Sequence, residues 1–328
     1  MELPPSPTVP NRKWRVFRWL GILAPAFLGA VYCGISFLSA EILTRSHLHP
    51  SMILDSLDAR KVSTDATPWS VKTADGLTLR GWYHPTKRHR RLIVLVHGLH
   101  ESWREVAGIG RDLHRRGYDV LLFDFRGHGQ SDPARVTMGR RERHDLRAAL
   151  GWAKAQGFSP DRIGWLGFSM GASTLLMEGA DNPDFRVAVL DSPFGDLPEI
   201  LDDQLSQHSK LPRFFNPGIL TAAYLAFGVR TSDLVPIRSA RRWADRPLLL
   251  IHGENDSIVP VRHARLIALS AGPNCSSVLL PGVEHVQAYR LDPQRYVSAV
   301  DLFFRQNLSG ANELSLGPET DSGRPATH

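Results

Sequence analysis

A serine lies between two glycines in the segment Gly167-Phe168-Ser169-Met170-Gly171. The segment follows a short apolar run typical of a strand and precedes residues 172–178, whose composition is compatible with a helix. A strand, a sharp turn and a helix are the context that distinguishes a nucleophile elbow from a chance match. Such a turn places a serine hydroxyl at a helix N-terminus, where free N–H groups favour developing negative charge. The pattern predicts a nucleophile for acyl transfer. The alternative is a glycine-rich turn in which the serine has no role.

A serine hydroxyl is a weak nucleophile at neutral pH, so it needs a histidine as base and a carboxylate to orient that histidine. In one known arrangement the acid follows the serine along the chain and the histidine comes last. The predicted base is His285, in the loop that follows the last predicted strand. The other histidines after the serine are His208, His252, His263 and the terminal His328.

The predicted acid is Asp256, which follows the apolar strand Leu248–Ile251. Glu254, two residues earlier, is the alternative acid. Asp191 also ends a predicted strand, but its Asp-Ser-Pro setting is typical of a loop anchor. A tetrahedral intermediate further needs two backbone N–H groups that point at one oxygen. Met170, directly after the nucleophile, and Leu99, in the loop after an earlier strand, are the predicted donors.

Composition narrows the possible partners. The chain has 328 residues, 42% of them hydrophobic, enough for one large domain with appendages. Its formal net charge is +6, but the basic residues are scattered without interleaved aromatic residues, so no nucleic-acid partner is predicted. Two cysteines do not make a disulfide framework. The histidines lack metal-ligand spacing, so neither a metal nor a cofactor is predicted.

Four basic residues between positions 12 and 18 precede Trp19–Ala40, which contains no charged residue. A helix over 19–40 spans roughly 33 Å, enough to cross the hydrocarbon layer of a membrane. Basic residues are sparse after it, which predicts a cytoplasmic N-terminus over 1–18 and a catalytic domain outside the cytoplasm. One alternative is a signal peptide, with Leu38-Ser39-Ala40 as its cleavage site. The other is a helix buried in a soluble protein.

The elements that must position these residues follow from the pattern of the rest of the chain. Residues 41–68 are a predicted linker and 69–307 a predicted catalytic domain, which opens with a hairpin around Asp75-Gly76. From Leu92 onward, apolar runs alternate with helical stretches. This predicts one mostly parallel sheet with helices on both faces and working residues at the carboxyl ends of its strands.

Three further segments carry predictions of their own. Ser102-Trp103-Arg104-Glu105 is a capping box, which predicts a helix that ends near Arg116. Residues 195–243 contain several prolines and an apolar helical patch, and we predict a small helical lid there. Residues 308–328 are polar and are predicted to be a disordered tail.

Five motifs in this order make residues 69–307 resemble the α/β-hydrolase superfamily, in particular its Bem46-like, monoglyceride-lipase-like and serine-aminopeptidase-like groups. The motifs are His97-Gly98, Phe123–Ser131, Gly167–Gly171, His252–Asp256 and Gly282–His285. The resemblance implies an α/β-hydrolase fold and a triad of Ser169, Asp256 and His285, with Asp124–Ser131 as a structural loop beside the site. Relatives that open epoxides or displace halide carry an aspartate at the position of Ser169.

The sequence therefore predicts a membrane-tethered serine hydrolase that cleaves ester or thioester bonds through an acyl-enzyme. Its predicted partners are the membrane and a small acyl ester. A lipid-derived ester is compatible with the membrane tether. The oligomeric state is left open. One alternative is an aminopeptidase-like enzyme whose lid carboxylates, Glu199, Asp202 or Asp203, hold a free amine. The other is an inactive scaffold with the same fold.

Overall fold

The computed structural model describes residues 12–48, 58–87, 91–208, 211–243 and 245–309. Most of the predicted tail, residues 310–328, and the first 11 residues of the predicted cytoplasmic segment lie outside the described residues. The chain forms two compact units. Residues 201–231 group with the segment that ends at Thr44, and the remainder, from Arg45 onward, forms the larger unit.

The larger unit is built on an eight-stranded sheet. In chain order its strands are β2 (Thr67–Lys72), β3 (Thr78–His84), β4 (Leu92–Val96), β5 (Asp119–Phe123), β7 (Ile163–Phe168), β8 (Val187–Asp191), β9 (Leu248–Gly253) and β10 (Cys275–Leu280), while β1 (His47–Leu48) and β6 (His128–Gly129) pair separately. The order across the sheet is β10-β9-β8-β7-β4-β5-β3-β2. All pairs from β10 to β5 are parallel, and β3 and β2 add an antiparallel hairpin at one edge. The predicted α/β fold with a mostly parallel sheet is confirmed.

The strands that position the site are mostly apolar, with Asp119, Asp191 and His252 as buried polar exceptions. Every residue of β4, β5, β7, β8 and β9 is buried. Continuous apolar runs of this kind are expected for parallel strands that are covered on both faces. The predicted hairpin turns at Asp75-Gly76, where Gly76 has a φ of 90°, a conformation open to glycine.

Helices connect the strands. They are α2 (Ala107–Arg115), α3 (Arg143–Ala155), α4 (Met170–Asp181), α5 (Leu197–His208), α6 (Asn216–Phe227), α7 (Pro236–Ala240), α8 (Arg262–Ala271), α9 (Ala288–Leu291) and α10 (Pro293–Asn307), after the long N-terminal α1 (Arg12–Thr44). Helices α5, α6 and α7 fall within the residues predicted to form the lid. The region predicted as a linker contains the end of α1, the short β1 and a helical turn at 58–62.

The smaller unit pairs α1 with α6. Tyr32 stacks on Phe215 with ring centroids 5.1 Å apart, and Phe37 meets Phe227 at 5.4 Å. A Cβ on Gly218 would lie 2.5 Å from both the Ser36 hydroxyl and the Tyr32 hydroxyl, so the glycine allows the helices to approach closely. Within α1, residues Gly21–Thr44 have the length and composition of either a membrane anchor or a signal sequence.

A buried ion pair fixes the loop that follows β5. The Arg126 guanidinium is 1% exposed and donates to Asp145 at 2.7 Å and to Asp75 at 2.6 Å. The Asp145 side chain is fully buried, while Asp75 is partly exposed in the hairpin turn. The pair thus ties the hairpin and α3 to the loop 124–131. Asp75 has the structural role expected for a turn residue.

We expect Arg126→Met to reduce the free energy of unfolding by about 3–5 kcal/mol, because it leaves the Asp145 carboxylate buried without its cation. Urea unfolding followed by circular dichroism measures the change. The matched control is Lys154→Met, which breaks a half-exposed pair with Asp184 at 2.7 Å and should cost at most about 1 kcal/mol. Equal costs for the two variants would contradict the role given to Arg126.

Candidate active site

The backbone of Ser169 is held in a sparsely populated conformation between β7 and α4. Its φ is 48° and its ψ is −113°. A Cβ on Gly167 would lie 2.8 Å from the backbone of Ala172, and one on Gly171 would lie 2.5 Å from the carbonyl oxygen of His97. Side chains therefore have no room at either position. The Ser169 N–H donates to the Asp191 carbonyl at 2.8 Å, which ties the turn to the end of β8.

Gly171→Ala should destabilise the protein by about 1–3 kcal/mol, because the added methyl overlaps the backbone at the end of β4, and it should lower the activity that depends on Ser169. Gly151→Ala is the matched control. Gly151 is exposed in α3 with nothing near its missing Cβ, so the alanine should stabilise the protein by about 0.5–1 kcal/mol. Denaturant titration checks that the free energy of unfolding falls in Gly171→Ala and rises in Gly151→Ala. A neutral effect of Gly171→Ala would refute the steric argument.

His285 lies between the serine and an aspartate. Its Nε2 is 2.9 Å from the Ser169 hydroxyl oxygen, and its Nδ1 is 2.7 Å from Oδ2 of Asp256. The imidazole is 14% exposed, and the Asp256 side chain is fully buried. The structure thus brings together the three side chains that the sequence singled out, with His285 within hydrogen-bond distance of each of the other two.

The position of the Asp256 carboxylate is determined by its own loop. Its Oδ1 accepts the N–H groups of Ile258 at 2.9 Å and Val259 at 2.7 Å, which leaves Oδ2 directed at His285. The buried His252 lies 3.3 Å from Oδ2, and burial lowers its pKa. The alternative acid, Glu254, instead pairs with Arg265 at 3.1 Å.

A second carboxylate supports the histidine loop. Asp191 is fully buried and accepts hydrogen bonds from the hydroxyls of Ser192 and Tyr296, both at 2.9 Å. Ser192 in turn accepts the Val286 N–H at 3.3 Å, directly after His285. Burial raises the pKa of Asp191 to about 6, although both hydroxyl bonds oppose that rise. Asp191 therefore anchors the loop, as its sequence setting predicted.

The loop after β4 has its backbone N–H groups fixed on both sides of Leu99. Gly98 donates to Oε2 of Glu105 at 2.8 Å, and His100 donates to Nε2 of His128 at 3.3 Å. Burial lowers the pKa of His128, so its ring stays neutral and can accept. Among the described residues no acceptor contacts the N–H of Leu99 or that of Met170. Both predicted donors therefore lack an acceptor in the part of the chain that the structure describes.

Glu105 was not among the predicted site residues. The helix predicted from the capping box is present, since a helical turn at Trp103–Val106 leads into α2, which is capped by Arg116. The Glu105 carboxylate, however, does not bond the start of its own helix as a capping box would have it. Ser102 caps the first turn alone, accepting from Arg104 at 3.4 Å, while Glu105 reaches back to Gly98. A Cβ on Gly98 would lie 3.5 Å from both the Glu105 carboxylate and the Ser169 Cβ, so both side chains lie close to Gly98. Nothing in the local sequence distinguishes this contact from a cap.

The carboxylates proposed for an amine site have other partners. Glu199 pairs with Arg262 at 2.7 Å in the larger unit. In the smaller unit, Asp203 lies 3.2 Å from Arg213, and Asp202 accepts the Asn216 side-chain amide at 2.7 Å. A substrate amine would have to compete with each of these contacts.

Comparison with known proteins decides the family. The model of a protein family described as "Serine aminopeptidase, S33" matches residues 87–220. An uncharacterised protein of Mycobacterium tuberculosis is 31% identical over 240 residues, which cover 72% of this chain and 78% of that protein. The chain belongs to the α/β-hydrolase superfamily.

Two characterised members show what this α/β-hydrolase is similar to. The Pyrococcus furiosus esterase Pf2001 superposes with a TM-score of 0.63 at 25% identity, covering 76% of this chain and 95% of the esterase. A monoacylglycerol lipase of Mycolicibacterium smegmatis is 26% identical over 235 residues, or 61% of this chain and 83% of the lipase. Family and structural neighbours together support an ester hydrolase.

Proposed function

We propose that the chain hydrolyses carboxylic ester or thioester bonds through an acyl-enzyme on Ser169. The observation that carries the proposal is the continuous hydrogen-bonded series from Ser169 through His285 to Asp256. His285 removes the hydroxyl proton as the serine attacks the acyl carbonyl, then returns it to the leaving group. Asp256 fixes the imidazole tautomer and stabilises its charged form. A water molecule activated by His285 then releases the acid.

The negative oxygen of the tetrahedral intermediate is the second requirement. In the proposal it is bound by the N–H groups of Leu99 and Met170, which have no acceptor among the described residues. The Met170 N–H is also the first of α4, so the helix dipole adds to the stabilisation. Pre-oriented donors of this kind contribute much of the rate of acyl-transfer enzymes.

A fluorophosphonate probe, which reacts with activated serines, tests the mechanism. Wild-type protein should be labelled and Ser169→Ala should not, while the exposed-serine control Ser276→Ala should label normally. Asp256→Asn should reduce kcat for a nitrophenyl ester by at least about 10³-fold, because the imidazole loses the partner that fixes its tautomer. Labelling that persists in Ser169→Ala would exclude this nucleophile.

The aminopeptidase reading is the second candidate, because the matching family description carries that name. A chain-length series of nitrophenyl esters, measured beside aminoacyl amides, separates the two. We expect kcat/KM to vary with acyl length and the amides to be poor substrates. Turnover of the amides with a flat response to the esters would favour the peptidase.

We further propose that α1 is not cleaved and anchors the enzyme to a membrane. The support is the apolar surface of this helix, whose exposed large side chains include Ile22, Leu23, Phe27, Leu28, Phe37, Leu38 and Ile42. Cleavage after Ala40 would also remove Tyr32 and Phe37 from their contacts with Phe215 and Phe227. An anchor keeps this aromatic cluster covered, and a cleaved signal peptide would expose it.

Tags at the two termini test both the anchor and its orientation. We expect the full-length chain to stay in the membrane pellet after alkaline carbonate extraction. Protease added to intact spheroplasts should remove a C-terminal tag and spare an N-terminal one. Loss of the N-terminal tag from the mature chain would indicate a signal peptide. Removal of the N-terminal tag by the protease, with the C-terminal tag spared, would indicate the opposite orientation.

A further inference from the structure

The peptide group between Gly98 and Leu99 carries the N–H that the proposed function assigns to the oxyanion. Its carbonyl end is held, because Nδ1 of the buried His97 donates to the Gly98 oxygen at 2.7 Å. The direction of the N–H also depends on how the two neighbouring peptide groups are held. The next N–H, that of His100, is held by His128, whose own Nδ1 lies 3.0 Å from the Arg126 carbonyl. The preceding N–H, that of Gly98, is held by Glu105 alone, at 2.8 Å.

We propose that Glu105 is a positioning residue that orients the oxyanion loop by accepting the Gly98 N–H. The inference rests on the proposed function, since it assigns a purpose to the orientation of the Leu99 N–H. Glu105 does not touch the substrate in this role. It acts through the backbone of Gly98, which also packs against the nucleophile.

The geometry around Glu105 indicates that its reach matters more than its charge. The side chain is partly buried at the start of the segment that leads into α2, and it spans back to the end of β4. Burial raises the pKa of Glu105 to about 7, and the negative charges of Glu101 and Asp191 add to this, while the Gly98 bond and His285 oppose it. A full negative charge close to Gly98 also opposes the oxyanion. A neutral acceptor at the same place should therefore serve as well.

Two conservative variants distinguish the reach of the side chain from its charge. Glu105→Gln keeps the length of the side chain and an acceptor oxygen but removes the charge. Glu105→Asp keeps the charge but is shorter by one carbon–carbon bond, about 1.5 Å, and cannot span the distance. If charge were the useful property, for example to hold a substrate amine, the two variants would rank in the opposite order.

We would measure kcat and KM for a nitrophenyl ester and the Ki of an alkyl boronic acid, whose tetrahedral adduct places an oxygen where the oxyanion forms. Glu105→Asp should reduce kcat about 10–100-fold, less than the loss of a whole oxyanion donor, with KM within about 2-fold and a Ki raised in parallel. Glu105→Gln should keep kcat within about 3-fold of wild type. Glu101→Gln, at an exposed position, is the control and should change none of the three constants.

Two results would overturn the role of Glu105: wild-type kcat in Glu105→Asp, or a loss in Glu105→Gln as large as that in Glu105→Asp. If Glu105→Asp does not fold, judged by its thermal midpoint, Glu105→Met fills the same space without a strong acceptor and should show the same loss of kcat. Ser169→Ala is measured in parallel. Full activity in Ser169→Ala would contradict the proposed function itself. An inactive Ser169→Ala together with a fully active Glu105→Asp would contradict only the inference about Glu105.

Discussion

The strained backbone of Ser169 is the constraint on which the rest of the site depends. A residue other than glycine at a φ of 48° costs on the order of 1–3 kcal/mol, and such strain persists only where the surroundings over-determine it. Here the surroundings are a hydrogen bond from the turn to Asp191 and contact distances that exclude a side chain at Gly167 and Gly171. Packing of the parallel strands thus holds the hydroxyl in position.

The loops that meet the serine are connected to each other as well as to the sheet. Glu284 accepts both the N–H and the hydroxyl of Ser257, which links the loop of His285 to the loop of Asp256. A Cβ on Gly253, at the end of β9, would lie 2.1 Å from the Val283 carbonyl oxygen, and the Asn255 N–H donates to the same oxygen at 3.1 Å, so the two loops are in direct backbone contact. The separation of His285 and Asp256 is therefore a property of the scaffold, with little dependence on side-chain freedom.

Much of the fold could be predicted because its signals are local. Continuous apolar runs identified β4, β7 and β9, and the Asp-Gly pair identified the hairpin. The chemistry of Ser169, Asp256 and His285 could be proposed from residue type, chain order and position at strand ends, although their roles remain predictions. Glu105 could not be found in this way. Its spacing from Ser102 fits a cap, and only the folded loop shows that the carboxylate bonds Gly98 instead.

The pairing of α1 with α6 has a consequence for biosynthesis. Tyr32 donates to the Phe214 carbonyl across 182 positions of the chain. At about 5–20 residues per second, a ribosome takes on the order of 10–40 s to reach the second partner after it has made the first. During that interval the face of α1 that carries Tyr32, Ser36 and Ala40 has no α6 to cover it. In the proposed topology, lipid covers this face until the nascent chain supplies its own helix.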